Sequence, residues 1–288
     1  MNKKVSIIMP CYNQGAFVKE AIESVLNQTY QNIEIVCVND ASSDDSAEII
    51  QDICAKEQSI PLIFIDHTEN KGVIATRNEA IDVATGEYIL PLDADDTLEP
   101  TFVEKAVKIL DENPDIGIVY CWANNFMKGM KSWISKWEDF DVNKEIYVNT
   151  IVNSSMYRKS DFIAVGGYKT YMNKGLEDWD LWLSFIEKGL KGYLIKEPLF
   201  NYRRQIPNSR SIGVSKCIDE LYYTILKHHT DLYINNELCV EKLFKLDYEL
   251  IQKQKARARC IRRYIKMFFE VIFLFIMFYL IVFLYLIL

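Results

Sequence analysis

Two clusters of carboxylates in this 288-residue chain carry residue types and spacings that could do chemistry. The first is Asp93-Ala94-Asp95-Asp96, three acids within four residues, directly after the apolar run 88–92. Like charges this close repel, and their pKa values rise unless a cation sits among them. Hard oxygen ligands select Mg2+ or Mn2+, usually shared with substrate phosphates. A solvated acidic turn capping a helix over 97–110 is the alternative, and Asp-x-Asp alone leaves both open. The second cluster is Glu177-Asp178-Trp179-Asp180, at the start of a helix predicted over 178–188 and ended by Gly189. Acids there suit the helix dipole, while a carboxylate facing a metal site could act as a general base. The first strand–helix turn lacks G-x-G-x-x-G and G-x-x-x-x-G-K-[ST], which argues against a dinucleotide oxidoreductase and a P-loop ATPase.

The elements that must position these groups alternate. Apolar runs at 5–9, 33–38, 62–65, 88–92 and 116–121 read as buried strands, and helical patterns fill 17–26, 73–84 and 102–110. The turn 39–46 is small and acidic and can cap the helix after it. Strands spaced by single helices imply right-handed crossovers and a mostly parallel sheet covered on both faces, an α/β fold. Ligands then bind beyond the carboxyl ends of the strands, which directs attention to Pro10-Cys11-Tyr12-Asn13, Asn39-Asp40 and Asp93–Asp96. Past Cys121 the rhythm loosens. The stretch 122–149 is either a surface excursion or a substrate-facing wall. Short strands are expected at 193–195 and 199–203, and helices over 215–254.

Composition bounds the rest. Half of the residues are apolar and a quarter charged, which excludes a disordered chain or a small disulfide scaffold. The seven cysteines form no C-x-x-C pair and read as small core residues in a reducing compartment. His228 and His229 would point to different faces of a helix, so neither reads as a metal ligand. From residue 251 onward stand seven basic residues and one acid, a charge of +6, which leaves −13 for the remainder of a chain of net −7. That acidic body excludes general nucleic-acid binding. Residues 271–288 hold no charge, Gly or Pro. As a helix they would run about 27 Å, near the thickness of a bilayer core. A transmembrane helix at 267–288 is the expectation, with a buried core helix or an oligomer contact as the alternative, after a helical and basic juxtamembrane segment at 213–266. The basic cluster places the body on the cytoplasmic side. The apolar start, 5–9, is too short for a signal peptide.

Two resemblances compete. Asp93-Ala94-Asp95-Asp96-Thr97-Leu98 after an apolar strand resembles the first motif of haloacid-dehalogenase-like phosphatases, which would make Asp93 an aspartyl-phosphate nucleophile. That motif belongs on the first strand of its domain, and here three strand–helix units precede it. The whole order of motifs resembles the inverting family 2 glycosyltransferases of the GT-A fold. It runs from Val5–Asn13 through Val38-Asn39-Asp40, Asn70-Lys71-Gly72, Arg77-Asn78, Gly86-Glu87-Tyr88 and Asp93–Asp96 to Gly166-Gly167-Tyr168, Glu177-Asp178 and Tyr202-Arg203. The likeness covers roughly residues 3–210, and 1–212 would be the catalytic domain.

The second resemblance implies a function. Pro10, Tyr12 and Asn13 would line a nucleotide pocket, Asp40 would bind the base (usually uracil), and Arg77 the nucleotide or its phosphates. Asp93 and Asp95 would hold Mn2+ or Mg2+ against the donor diphosphate. Asp178 would be the base on the acceptor hydroxyl, with Glu177 orienting the region. Processive members carry Gln-x-x-Arg-Trp; Tyr202-Arg203-Arg204-Gln205 has no such Trp, which points to transfer of one sugar. The expected partners are a nucleotide sugar and a membrane-linked acceptor, in cell-surface polysaccharide or glycolipid synthesis. A polyprenyl phosphate is the rival acceptor.

Overall fold

Four of the apolar runs become adjacent parallel strands. They are β1 (Val5–Cys11), β2 (Ile33–Asn39), β3 (Leu62–Asp66) and β4 (Tyr88–Pro91), laid side by side as β3-β2-β1-β4. Every residue of β2 is buried, as is every residue of β1 but Pro10, which is why these strands read as near-continuous apolar runs, interrupted by Ser6 and Glu34, rather than alternating ones. Helices α1 (Val18–Leu26), α2 (Ser46–Lys56) and α3 (Val73–Val83) make the connections. The computed structural model describes residues 3–56, 59–127, 129–205, 214 and 216–234. The juxtamembrane segment, except for parts of 214–234, and the candidate span at 267–288 lie outside the described residues. Within the described part no helix is long and apolar enough to cross a membrane.

The other half of the sheet corrects the mostly parallel expectation. The order continues β4-β8-β6-β9-β5, with β7 on the free side of β6. Here β5 is Thr97–Leu98, β6 Ile116–Phe126, β7 Trp133–Ser135, β8 Met156–Arg158 and β9 Lys191–Arg203. Four pairings are parallel and four antiparallel, so the sheet is mixed. The three-residue β8 returns from the excursion after β6 and wedges antiparallel between β4 and β6, too short for a periodicity to betray it. The strands expected at 193–195 and 199–203 are one strand, β9, whose register against β6 shifts around Trp122. Nor does the acidic turn cap a helix at 97. Thr97 and Leu98 pair with β9, and the helix α4 (Phe102–Glu112) begins later.

Because β8 runs opposite to both neighbours, β4, β6 and β9 all point the same way as β1 and β2. Their carboxyl ends therefore share one edge of the sheet. A short helix α5 (Val142–Glu145), then α6 (Lys159–Ala164) and α7 (Glu177–Glu187), complete the frame around β8. Positions 179–186 of α7 are all buried, with Trp182 and Phe185 edge-on to Tyr157 of β8 at centroid distances of 5.8 and 5.6 Å. That packing fixes the start of α7, where Leu176 precedes the helix in the left-handed region (φ 59°).

His229, after the helix Ile218–His228, locks the far side of α7. It is 2% exposed, with Nε2 3.1 Å from Asp180 Oδ1 and Nδ1 2.9 Å from Glu187 Oε1. Burial pushes its pKa down, but the bonds to Asp180 and Glu187 outweigh that and raise it from 6.5 to about 9. His228 instead stacks on Tyr171. The folded value exceeds the unfolded one, so this stabilisation is complete below about pH 6.5 and is lost as pH rises through about 9. The Tm gap between wild type and His229→Gln should therefore be widest near pH 6 and close by about pH 10. A gap independent of pH would mean that the imidazolium is not the stabilising species.

Candidate active site

The turns after β1 and β2 are tied to each other. Asn13 and Ala41 both adopt left-handed backbone, with φ of 54° and 57°. The Asn13 N–H donates to Ser42 Oγ at 2.9 Å, and Asn13 Oδ1 accepts from the Ser43 N–H at 2.8 Å. Gly15 N–H donates to Asp44 at 2.9 Å. Tyr12, between these anchors, is 50% exposed, an aromatic face presented at the sheet edge. Pro10 sits in register with Val38 inside the strand pair, one step before that edge.

Asp40 is buried and holds the loop after β3. Its carboxylate accepts from the N–H groups of Lys71 (2.8 Å) and Gly72 (2.9 Å), and His67 Nδ1 lies 2.8 Å from Oδ1. An ionised carboxylate offers about four acceptor positions, so about one remains for a ligand. His67, which sequence reasoning did not connect to Asp40, continues to Glu79 at 3.0 Å.

Arg77 is turned inward. It lies in α3 at 1% exposure, with Nη1 2.6 Å from Glu177 Oε1 and Nη2 2.6 Å from Asp93 Oδ1. Burial disfavours its charge, yet Asp93 and Glu177 hold its pKa well above the ordinary arginine value. The guanidinium is thus an internal strut between the two acidic clusters. Glu177 is likewise turned inward, onto Arg77.

Asp178 is half-buried at the first turn of α7, its Oδ1 accepting from the Trp179 N–H at 2.8 Å. Burial and the neighbouring Glu177 charge lift its pKa to about 6. A carboxylate so tuned holds a proton better than a surface acid and remains ionised near neutrality, as a general base must. Behind it stands Glu145, fully buried and raised to about 7, mainly by burial. The backbone carbonyl of Glu145 accepts from Trp179 Nε1 at 2.7 Å. The excursion 122–149 thus supplies part of the wall behind the base.

The candidate metal motif follows β4. Burial, then the Asp93 charge, raises Asp95 to about 6. Asp96 is buried, its Oδ1 accepting from the Arg203 N–H at 2.8 Å, and burial raises its pKa strongly. Asp93, 34% exposed and paired on one oxygen with Arg77, and Asp95 form a hard-oxygen pair, and that donor set fits Mg2+ or Mn2+. Among the described residues no group of three or more His, Cys, Asp or Glu converges as a ready cage. The pair therefore suits an ion that takes one or two carboxylates and completes its shell with phosphate and water.

Two further residues reach these acids: Arg203, which stands in the Tyr202-Arg203 motif, and Gln205, to which sequence reasoning assigned no role. Arg203 donates from Nε to the Asp95 carbonyl at 2.8 Å, pairs with Glu20 at 2.6 Å, and lies between the rings of Phe17 and Phe126 at 4.6 and 4.5 Å. Gln205 Nε2 donates to Asp95 Oδ2 at 2.8 Å. The Tyr202-Arg203-Arg204-Gln205 run was the available signal, but only the pairing of β9 with β5 and β6 aims it at the acids.

The family model described as Glycosyl transferase family 2 matches residues 6–179. An uncharacterized glycosyltransferase of Methanocaldococcus jannaschii is 32% identical over 235 residues, which cover 78% of this chain and 79% of that protein. The Bacillus subtilis protein EpsE, named as a glycosyltransferase, is 32% identical over 205 residues, 69% of this chain and 73% of its own. Among solved structures, S. aureus TarS 1-349 in complex with UDP-GlcNAc superposes with a TM-score of 0.67 at 18% identity, covering 81% of this chain and 67% of that one. A mannosyltransferase from Pyrobaculum calidifontis, in complex with GDP-Man and Mn2+, gives 0.57 at 19%, over 80% and 70%. These structural likenesses speak to the fold.

Proposed function

The chain belongs to glycosyl transferase family 2, and from that premise we propose that it moves a single sugar from a nucleotide sugar, a UDP-sugar first, to a hydroxyl of a membrane-associated acceptor, inverting the anomeric configuration. The family match takes in Asp93–Asp96, so that cluster is read as part of a transferase, and the phosphatase alternative falls away. The observation that carries the reading is the strut Asp93–Arg77–Glu177, which joins the candidate metal motif to Glu177, the neighbour of the candidate base Asp178, through 2.6 Å contacts at each end.

Asp93 and Asp95 would hold the divalent cation, whose chemistry is to stabilise negative charge developing on a leaving diphosphate. The remaining roles fall to the chain. Tyr12 offers a stacking face to the base, and Asn13 keeps the two loops together. Asp40 holds the Lys71–Gly72 backbone in place and keeps about one acceptor position for the base. Asp178 takes the proton of the acceptor hydroxyl. With one base and no enzyme nucleophile, displacement is direct and inverts. The acceptor reading, and anchoring by 267–288 with the body on the cytoplasmic side, rest on the charge and hydropathy of the tail.

The test uses the full chain against a panel of UDP- and GDP-sugars, with Mn2+ or with EDTA. UDP release from one donor that stops in EDTA and falls by about 10²–10³ in Asp95→Ala supports the reading. Full turnover in EDTA would remove the metal from it. Consumption of no nucleotide sugar, with hydrolysis of a simple phosphomonoester lost in Asp93→Asn, would overturn the transferase assignment. Carbonate extraction of cell membranes checks the anchor: an integral chain stays in the pellet.

A further inference from the structure

The hairpin joining β6 to β7 carries an exposed apolar side chain on each of its faces. The Met130 N–H closes a turn on the Met127 carbonyl at 3.1 Å, with Gly129 at φ 81°. Three large side chains remain in water here: Met130 is 60% exposed, Ile134 47% and Trp133 41%. Trp133 stands opposite Asn125 and Ile134 opposite Asn124, and consecutive strand positions face opposite sides of the ribbon. A rigid partner covers one face of such a ribbon, whereas a fluid apolar phase covers both.

Charge points the same way. Lys131 and Lys136 are exposed beside these apolar residues, and among the described residues neither meets a carboxylate. Lys136 lies over the Trp122 ring at 5.0 Å. From Met127 to Trp137 the sequence contains no acid. The first acids beyond it, Glu138 and Asp139, are neutralised by Lys144 and Lys196, each at 2.8 Å. On an otherwise acidic body this is a basic, aromatic and aliphatic projection. That combination suits a bilayer interface, where a Trp ring sits at headgroup level and lysines meet anionic lipid.

The hairpin leaves the sheet beside the site. Phe126, the last residue of β6, packs 4.5 Å from the Arg203 guanidinium, which itself donates to the Asp95 carbonyl at 2.8 Å. We propose that the β6–β7 hairpin is an interfacial lipid contact, with Met130, Trp133 and Ile134 entering the headgroup region of an anionic bilayer and holding the mouth of the site against the membrane surface. This deepens the proposed function and rests on it for the membrane-held acceptor; the contact itself is measured separately from the anchor.

The full chain is mixed with vesicles of phosphatidylglycerol and phosphatidylcholine bearing brominated acyl chains. Co-flotation reports attachment by any route, and bromine quenching of tryptophan fluorescence reports ring insertion. Trp179 and Trp182 are buried and out of reach of the quencher. The expected result is quenching whose larger part disappears in Trp133→Phe, with co-flotation retained. The Trp133 part should also weaken in phosphatidylcholine alone and in Lys131→Gln/Lys136→Gln, each lysine being worth about fivefold in partition to an anionic surface. Equal quenching of wild type and Trp133→Phe overturns the proposal, as does self-association that depends on Trp133 and Ile134 without quenching. A chain that floats without Trp133 quenching keeps the membrane reading and loses the hairpin contact. Trp133 quenching in a chain stripped off by carbonate keeps the hairpin and loses the anchor.

Discussion

Replacing Asp178 with Asn lowers kcat by about 10²–10⁴-fold, the usual contribution of a positioned general base, and leaves donor KM nearly unchanged. The substitution keeps the shape of the side chain and its acceptor for the Trp179 N–H, so the fold persists and near-ultraviolet circular dichroism should match wild type. The pH profile supplies the sign. The base works ionised, and its pKa stands near 6. In wild type, kcat/KM should therefore be flat above about pH 7 and fall about tenfold per unit below about 6. Because Asp178 and Glu177 are adjacent acids, the apparent value belongs to the pair. Asp178→Asn should lose the acidic limb along with the rate. A variant within about threefold of wild type would show that another group takes the proton.

Arg77→Met has the largest expected effect on stability. Glu177 is 6% exposed and pairs with Arg77 at 2.6 Å, so the substitution removes a countercharge from a buried carboxylate. Breaking such a pair costs about 3–5 kcal/mol. Asp93 is far more open and adds little to that figure. Urea denaturation reads the loss, and Arg77→Met/Glu177→Gln should recover much of it by removing the buried charge. Arg77→Lys should restore stability better than activity, since one ammonium cannot reproduce a fork whose two ends engage different carboxylates. Unchanged stability in Arg77→Met would mean that the Arg77–Glu177 pair does not hold these elements together.

The parallel half of the sheet was legible because strands buried on both faces leave nearly unbroken apolar runs, as at 35–38. The antiparallel insertion was not. Met156–Arg158 is too short to show a period, and its neighbours are chosen by the path of the chain rather than by its composition. At β9, Lys196-Glu197-Pro198 breaks the pattern where the register against β6 slips, so one strand read as two. The site was legible as a set of residues and less so as a set of roles. Asp178 and the Asp93–Asp96 cluster lie where strand ends and a helix start predicted. That Arg77 turns inward depends on Glu177, a hundred residues away, and that Asp40 holds a loop depends on backbone N–H groups that any residue type could have supplied.

The strut also constrains how the site can be rebuilt. Each end of one planar guanidinium is matched to a carboxylate on a different element, α3 being joined at once to the turn after β4 and to the start of α7. Positions 77, 93 and 177 therefore make one heritable unit. A substitution at any of them is tolerated only when the others answer it, and their effects in combination will depart strongly from additivity. Engineering a new donor preference by grafting loops from a relative should succeed where all three positions travel together, and fail where the graft boundary separates residue 77 from its two acids.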